Sequence, residues 1–188
     1  MFEKPRNLDR VDMNRITQHF SQLDEALTLV DVDEIQKAID VIREVKRSGG
    51  TVWMAGNGGS AATASHFAND LSKMGRVRAI SVSDMTPITL AYGNDDGWEK
   101  MFSYFLSDYL SDNDTVVGIS CSGNSANIIS FMAVSRNCPR IVLTGPGVNT
   151  MSEMDNEVLI RGMSDEITVI EDVHSVVCHA IARALRDE

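Results

Sequence analysis

The sequence predicts an α/β protein: a three-layer αβα sandwich with a parallel five-stranded sheet, preceded by an N-terminal helical hairpin. Short apolar segments alternate with helical stretches over most of the 188 residues, which is typical of parallel βαβ units. The first fifty residues carry helical periodicity. Hydrophobic residues make up 43% and charged residues 23% of the chain, which is enough apolar surface for one globular core.

Two amphipathic segments form the predicted hairpin. Apolar residues recur at helical spacing in both of them: Ile16, Phe20, Leu23, Leu27 and Val30, then Ile35, Ala38, Ile39, Ile42 and Val45. An N-cap is expected within Asp31–Asp33, and Gly49-Gly50 ends the second helix. The apolar faces of these helices need a surface to cover. Either they cover the sheet of their own domain, or one face contacts a neighbouring subunit, and the sequence leaves both alternatives open.

Five apolar segments predict the strands of the sheet. They are Thr51–Ala55, Arg78–Val82, Thr115–Ser120, Arg140–Thr144 and, more weakly, Glu157–Ile160. The helices expected among them include Ala61–Ser72, Ser125–Val134 and a final one from about Ile167 to Arg186. We expect a single domain over residues 1–188, with the helices in 1–50 and the α/β core in 51–188. Since ligands of parallel α/β sheets bind at the carboxyl ends of the strands, the loops after the strands are the first candidates for a site.

Composition and charge exclude several classes of function. A formal net charge of -10 disfavours nonspecific binding to nucleic acid or to anionic membranes. It does not exclude an anionic substrate, because backbone N–H groups bind phosphate whatever the total charge. Three cysteines without a CxxC pair, Cys121, Cys138 and Cys178, are expected to be free thiols. With neither a signal-peptide core nor an apolar run of ~20 residues, the protein is expected in the cytoplasm, with no nucleic acid and no membrane as partner.

The first candidate loop, Gly56–Ala61, lies between the first strand and the next helix. Glycines allow a ligand to approach the backbone closely, and a helix N-terminus favours anions. The loop also matches the dinucleotide pattern GxGxxA, with Asp84 as a ribose partner, and it could be a tight turn without a ligand. A chain this short has no room for the second substrate domain of a nicotinamide enzyme, so we expect no nucleotide cofactor.

The second candidate loop, Ser120–Ser125, follows the third predicted strand and also opens a helix. Its sequence SCSGNS combines three hydroxyls, a glycine and a helix N-terminus, which together predict a phosphate cradle without a lysine. A sugar phosphate requires such a second cradle, whereas a nicotinamide does not. Serines also cap helices, so Ser122 or Ser125 alone could be structural.

Two helices carry residues of acid–base or metal-binding type. His66 and Asp70 share one helix face at i and i+4, a spacing that suits two ligands of one metal ion or an acid–base pair. Glu171 and His179 lie eight residues apart, ~12 Å along a helix and ~80° around it. To reach one ion, Glu171 must lie in an unwound first turn, or the two must serve a site shared between chains.

Three other polar features receive weaker interpretations. His19 and His174 have no evident partners in the sequence and are interpreted as structural. Asn94–Gly97 is predicted to be a polar turn or a helix start, which could also contact sugar hydroxyls.

Four segments resemble phosphoheptose isomerases in order and spacing. They are GNGGSAATASHFANDL at Gly56–Leu71, YGNDDGWEKMFS at Tyr92–Ser103, GISCSGNSANII at Gly118–Ile129 and IEDVHSVVCHAI at Ile170–Ile181. The resemblance implies a SIS (sugar isomerase) domain, a homotetramer with sites at subunit interfaces, and one divalent zinc ion per site. It also implies the conversion of sedoheptulose 7-phosphate to D-glycero-D-manno-heptose 7-phosphate, an entry step to bacterial heptose for lipopolysaccharide.

Carried over residue by residue, the resemblance implies a complete site. Metal ligands would be His66, Asp70, Glu171 and His179. Substrate would bind to Asn57, Gly58, Gly59, Asn94, Asp95, Ser120, Cys121, Ser122, Ser125 and Glu171. Asp70 and His179 would transfer the proton through an enediol intermediate, while the metal polarises the carbonyl and the serine loop anchors the phosphate.

The chain departs from the family pattern at three of these positions. It has Asp70 where the family usually has Glu, Glu171 where it has Gln, and Cys121 where it has Thr. Two alternatives therefore stay open: an isomerase of another seven- or eight-carbon sugar phosphate, and a non-catalytic SIS adaptor that binds the bacterial replication initiator. Such adaptors typically lack the metal-site histidine of the last helix, so His179 favours the enzyme.

Overall fold

The structure, a computed structural model, describes residues 13–135 and 137–186. The helices and strands of these ranges are α1 (Met13–Thr28), α2 (Val32–Ser48), β1 (Val52–Gly56), α3 (Gly59–Lys73), β2 (Ala79–Ser81), α4 (Thr86–Asp95), α5 (Ser103–Tyr109), β3 (Thr115–Ser120), α6 (Ala126–Val134), β4 (Arg140–Thr144), β5 (Val158–Arg161) and α7 (Ile167–Ala184). The start of the predicted N-terminal segment, residues 1–12, lies outside the described residues. Within the described ranges, no helix has both the length and the apolar character needed to cross a membrane.

The sheet confirms the predicted fold class. Its five strands are all parallel, in the order β2-β1-β3-β4-β5. The chain leaves β1 toward β2 at one edge and then crosses to β3 on the other side of β1, so the strand order reverses between β1 and β3. Gly56 at the end of β1 is in register with Ile119, and Ser120 with Thr144. A ligand crevice is expected at such a switch point, and the two candidate loops flank it.

Two apolar cores, one on each face of the sheet, define the three layers. Strand side chains alternate between them: Met54 faces the core built by α2, α3 and α7, and Trp53 faces the core built by α5 and α6. The largest buried side chains of the first core include Phe67 and Leu71, and those of the second include Phe131 and Met132. Burial of both sheet faces explains why the strands are continuous apolar runs.

The N-terminal hairpin forms as predicted, but its two helices differ in burial. The side chain of Asp31 caps α2 by accepting from the N–H groups of Asp33 and Glu34, and Gly49 ends α2 with a φ of 75°. Four apolar residues of α2 are buried in the core of the chain itself. In α1 only Ala26 is buried, and Phe20 remains 63% exposed. In a single chain, therefore, α2 covers the sheet, whereas α1 packs on the core through Leu23, Ala26 and Leu27 and leaves Ile16 and Phe20 exposed.

The region between β2 and β3 differs from the sequence prediction. Asn94 and Asp95 were expected in a turn or at a helix start, but they end α4. This helix packs only partly against the second core, through Ile88 and Tyr92. Because little of its surface is buried, its sequence needs no apolar stripe of helical period. Pro87 fits its first turn, where the missing N–H needs no partner. The predicted strands, by contrast, match the observed ones to within about two residues at each end.

Candidate functional site

A cavity of about 200 Å³ opens at the switch point between β1 and β3. Its lining comes from both candidate loops, the end of β3 and the first turns of α7: Asn57, Ser60, Ile119, Ser120, Cys121, Ser122, Ser125, Ile167 and Glu171. The described lining contains no lysine or arginine, as expected for a cradle of hydroxyls and helix N-termini. Five of the predicted substrate-binding loop residues thus line one cavity, together with Glu171.

The first loop is held in a conformation that requires glycine. Gly58 has φ 52° and ψ -122°, a backbone region closed to side chains with a Cβ. A Cβ at Gly56 would lie 2.5 Å from the backbone of Ser60. Ser83 supports this turn, since its hydroxyl donates to the Gly56 carbonyl and accepts from the Gly56 N–H. The glycine pattern is therefore explained by the tight turn between β1 and α3.

The second loop clusters its hydroxyl groups at the cavity. The Ser120 Oγ lies 3.2 Å from the Ser125 Oγ and 3.4 Å from the Ser122 Oγ. Ser125 occupies the N-cap position of α6, yet its side chain makes no capping hydrogen bond. Its hydroxyl is turned toward Ser120, which argues against capping as its sole role.

A segment that the sequence analysis did not single out braces the second loop from behind. The N–H of Gly145 donates to the Cys121 carbonyl, and that of Met151 donates to the Gly123 carbonyl, each at 3.0 Å. Thr150 donates to the Asn124 side chain through its N–H and its hydroxyl. The only sequence signal for this segment is GPGVNT at 145–150, which indicates a turn after β4 but not its contact with another loop.

Cys121 lines the cavity as a protonated thiol. Burial raises the pKa of the Cys121 thiol, the hydrogen bond with Ser60 opposes that rise in part, and the nearby carboxyl of Glu171 adds a smaller increase. Its sulfur lies 4.0 Å from the Ser60 Oγ. Burial also raises the pKa values of Cys138 and Cys178. All three cysteines are free thiols as predicted, and none has the lowered pKa of a nucleophilic cysteine.

A second group of side chains joins α3 to α7. The Oδ2 atom of Asp70 lies 3.6 Å from the Nε2 atom of His66 and 3.8 Å from that of His179. The two imidazole rings meet edge to face with centroids 4.8 Å apart. Asp70 is 8% exposed, whereas the His66 and His179 side chains are 56% and 51% exposed. The group thus has a buried carboxylate at its base and two imidazoles open to solvent.

The chemistry of this group fits a divalent ion. One ligand atom from each of the three residues lies within 4.8 Å of the others. Ligand atoms around a tetrahedral zinc ion lie about 3.3 Å apart, because each sits ~2.0–2.1 Å from the metal. The two distances to the Asp70 carboxylate, 3.6 and 3.8 Å, exceed that value by a few tenths of an ångström. The full spread of 4.8 Å exceeds it by about 1.5 Å, so the exposed imidazoles must rotate toward one another to bind one ion. Two imidazoles and a carboxylate are also a ligand type that zinc accepts.

Glu171 does not belong to this three-residue group. It lies within the regular part of α7, so the first of the two alternatives, an unwound first turn, is wrong. Its carboxylate lies against Gly59, where an added Cβ would overlap it. In one chain, Glu171 therefore faces the N-terminus of α3 and the serine cavity, while His179 faces Asp70. A set of four ligands that is shared between chains remains a prediction.

The remaining predicted residues lie elsewhere. Asn94 donates to Asp95 at the exposed end of α4, and neither lines the cavity. His19 and His174, for which the sequence showed no partners, each have one. His19 pairs with Asp172 at 2.8 Å, and the Nε2–H of His174 donates to the Thr144 carbonyl at 3.0 Å. His174 is fully buried, and burial lowers its pKa to about 4.

Comparison with known proteins gives matches by family model, by sequence and by structure. Residues 16–145 match the family model described as SIS domain. The phosphoheptose isomerase of Escherichia fergusonii is 34% identical over 84% of this chain and 85% of its own length. That of Helicobacter hepaticus is 33% identical over 90% and 89%. The structure of the phosphoheptose isomerase from Neisseria gonorrhoeae superposes with a TM-score of 0.87 at 29% identity, over 93% of this chain and 99% of that one.

Proposed function

The chain belongs to the SIS domain family and, within it, to the phosphoheptose isomerases, and we propose that it converts sedoheptulose 7-phosphate to D-glycero-D-manno-heptose 7-phosphate through an enediol. The observation that carries this proposal is the arrangement of the two groups around α3. The N-terminus of α3 borders the serine cavity, and its middle carries His66 and Asp70 beside His179. A cavity for an anion beside one end of this helix and an acid–base group farther along it suit a substrate with phosphate at one end and a carbonyl at the other.

The phosphate is assigned to the serine loop. The hydroxyls of Ser120, Ser122 and Ser125 converge there, and the N-terminus of α6 adds the positive end of its dipole. The Glu171 carboxylate borders the same cavity. Its negative charge disfavours a second anion beside it, so the phosphate belongs on the α6 side of the cavity, with the sugar directed toward α3.

The proton transfer is assigned to Asp70 and His179. Conversion of a 2-ketose to an aldose removes a proton from C1 and returns one to C2, through a shared enediol. Two groups 3.8 Å apart that can both hold a proton satisfy this requirement. Zinc, held by His66, Asp70 and His179 and, in the predicted set, by Glu171, would polarise the substrate carbonyl when bound. Asn57, Gly58, Gly59, Asn94 and Asp95 remain predicted substrate contacts.

A homo-oligomer with interfacial sites, expected to be a tetramer, is part of the same proposal. It is supported by the apolar residues that α1 exposes, Met13 at 63% and Phe20 at 63%, and by the half-exposed imidazoles of His66 and His179. A single domain over residues 1–188 and a cytoplasmic location are proposed with it. Light scattering after size-exclusion chromatography measures the assembly, and a monomer at micromolar concentration would remove the interfacial site from the proposal.

The test of the reaction is proton NMR of the purified protein with sedoheptulose 7-phosphate in D₂O. It is run after chelation and again after zinc is added back. Anomeric signals of the aldose, with deuterium at C2, are expected because the enediol exchanges its proton with solvent. Activity that returns with zinc would support the metal site.

Absence of turnover in folded, zinc-loaded protein would contradict the proposed reaction. Turnover of another seven- or eight-carbon ketose phosphate under the same conditions would keep the isomerase and change its substrate. If no sugar phosphate reacts, capture of the replication initiator by the purified protein would instead support the adaptor alternative.

A further inference from the structure

A reciprocal amide pair, with one partner fully buried, connects the first loop of the site to the helix that follows the second. Asn57 follows β1 and lines the cavity, whereas Asn127 lies in the first turn of α6 and is 0% exposed. The Asn57 Nδ2 donates to the Asn127 Oδ1 at 2.9 Å, and the Asn127 Nδ2 donates to the Asn57 Oδ1 at 2.8 Å. Each side chain is thus both donor and acceptor to the other, an arrangement that fixes both amide planes.

Asn127 has no group left for a substrate. Its second Nδ2 hydrogen is directed at the Met101 Sδ at 3.5 Å, and its Oδ1 also accepts from the Ile128 N–H at 3.1 Å. It is not among the residues that line the cavity. A fully buried amide with all of its hydrogen-bonding groups engaged specifies one geometry, since any rotation would leave buried polar atoms unpaired.

Asn57 differs because only part of its amide is engaged. After the pair is formed, one Nδ2 hydrogen and one lone pair of Oδ1 remain free to face the cavity. The side chain of an asparagine rotates easily about its last torsion. The pair with Asn127 removes that freedom and determines which polar atom of Asn57 faces the cavity.

The pair also crosses the crevice between the two halves of the site. The loop of Asn57 leads into α3, which carries His66 and Asp70, and Asn127 follows the serine loop by two residues. We propose that Asn127 is a positioning residue, which holds Asn57 and thereby aligns the sugar between the serine loop and the acid–base group. This inference rests on the proposed function, because it assigns Asn57 to a sugar phosphate.

The test is a double-mutant cycle of Asn127→Ala, Asn57→Ala and the double variant. A loss of kcat of about tenfold to a hundredfold is expected for Asn127→Ala, because small misplacements of a reacting group have effects of this size. The same substitution in the Asn57→Ala background should give no further loss, because its effect acts through Asn57. The inhibition constant of inorganic phosphate should stay within about twofold of wild type, since the serine hydroxyls are unchanged.

The control is Ile128→Val, which removes one buried methylene group from the neighbouring position of α6. It should leave kcat unchanged, which separates positioning from general loosening of the helix. Equal losses from Asn127→Ala with and without Asn57 would overturn the inference. So would a weakened affinity for inorganic phosphate at unchanged kcat, because Asn127 would then act on the serine loop.

A measurement that needs no turnover distinguishes failure of this inference from failure of the proposed reaction. In ¹⁵N-edited NMR of the assembled protein, the Asn57 Nδ2 hydrogen that is bonded to Asn127 should exchange slowly in wild type and rapidly in Asn127→Ala. Absence of wild-type turnover would contradict the reaction, whereas slow exchange that persists in Asn127→Ala would contradict the amide pair as the restraint on Asn57.

Discussion

The serine loop and the His66–Asp70–His179 group lie on the same molecule at the two ends of one proposed site, and they differ in how they are held. The serine loop has hydrogen-bonded support from a neighbouring segment, with the Gly145 and Met151 N–H groups bound to its carbonyls. The histidine group has a buried carboxylate, but its imidazoles are about half exposed. One chain therefore braces the anchoring end, whereas the imidazoles of the reacting end are open to solvent.

The largest effect is expected at the reacting end, from Asp70→Asn. The amide keeps the size of the side chain but cannot hold a proton, and it is a weaker metal ligand. Turnover should fall about a thousandfold, within the range for loss of general acid–base catalysis. Stopped assays of aldose formation measure it, with circular dichroism as the check on folding.

The matched control is Asp84→Asn. Asp84 accepts from Ser65 on the exposed side of α3 and does not line the cavity. It was also the ribose partner of the dinucleotide alternative, so its replacement should leave isomerisation nearly unchanged. If Asp70→Asn retains more than a tenth of wild-type turnover, Asp70 is not the group that moves the proton.

At the anchoring end, Gly123→Ala should be the most damaging small substitution. Gly123 has a φ of +63°, and a Cβ there would overlap the Asn149 side chain. Asn149 is 7% exposed and donates to the Thr144 Oγ1, so its displacement would break a buried hydrogen bond. We expect a loss of about 3 kcal/mol in the free energy of unfolding, measured in urea, from backbone strain and the overlap together.

Gly147→Ala separates these two causes. Gly147 has a φ of +76° with nothing within 4 Å of the position of a Cβ, so only the strain of about 1 kcal/mol should remain. Weaker inhibition by inorganic phosphate should accompany Gly123→Ala alone. Equal costs for the two variants would show that Asn149 does not pack tightly against Gly123, which would weaken the contrast between the two ends of the site.

The same contrast explains how much the sequence could predict. The serine loop and the glycine loop are local patterns, each placed between an apolar strand and a helix, so their positions at the switch point followed from the order of the elements. His66 and Asp70 were paired correctly because i and i+4 share a helix face. The addition of His179 depended on how α7 packs on α3, which no spacing within the sequence determines.

Other parts of the structure had no local signal. The segment Gly145–Met151 contacts the serine loop only because β4 lies beside β3 in the sheet. The Asn57–Asn127 pair joins residues 70 positions apart. The helix α4 lacks an apolar stripe of helical period and was therefore not predicted as a helix. Glu171 was grouped with the metal ligands by family resemblance, and the fold of one chain directs it to the serine cavity.

The smallest effect concerns pH and tests the support behind the anchoring end. His174 holds the carbonyl of Thr144, the residue that also accepts from Asn149, and burial lowers its pKa from 6.5 to about 4. The unfolded chain therefore binds a proton more readily than the folded one. The stabilising contribution is complete above pH 6.5 and is lost progressively as the pH falls toward 4.

Between pH 7 and pH 5 this group should reduce the free energy of unfolding by about 2 kcal/mol. His174→Gln removes the titration while its amide can still donate to Thr144, so the variant should lose about 2 kcal/mol less than wild type over this interval. Carboxylates titrate in both proteins and cancel in the difference. Urea unfolding at pH 7 and pH 5 measures the loss in free energy of unfolding for each protein. If the two proteins lose the same amount, the His174 side chain takes up its proton in the folded protein. In that case the polar support behind the serine loop would be open to solvent, and the contrast between a braced anchoring end and an open reacting end would weaken.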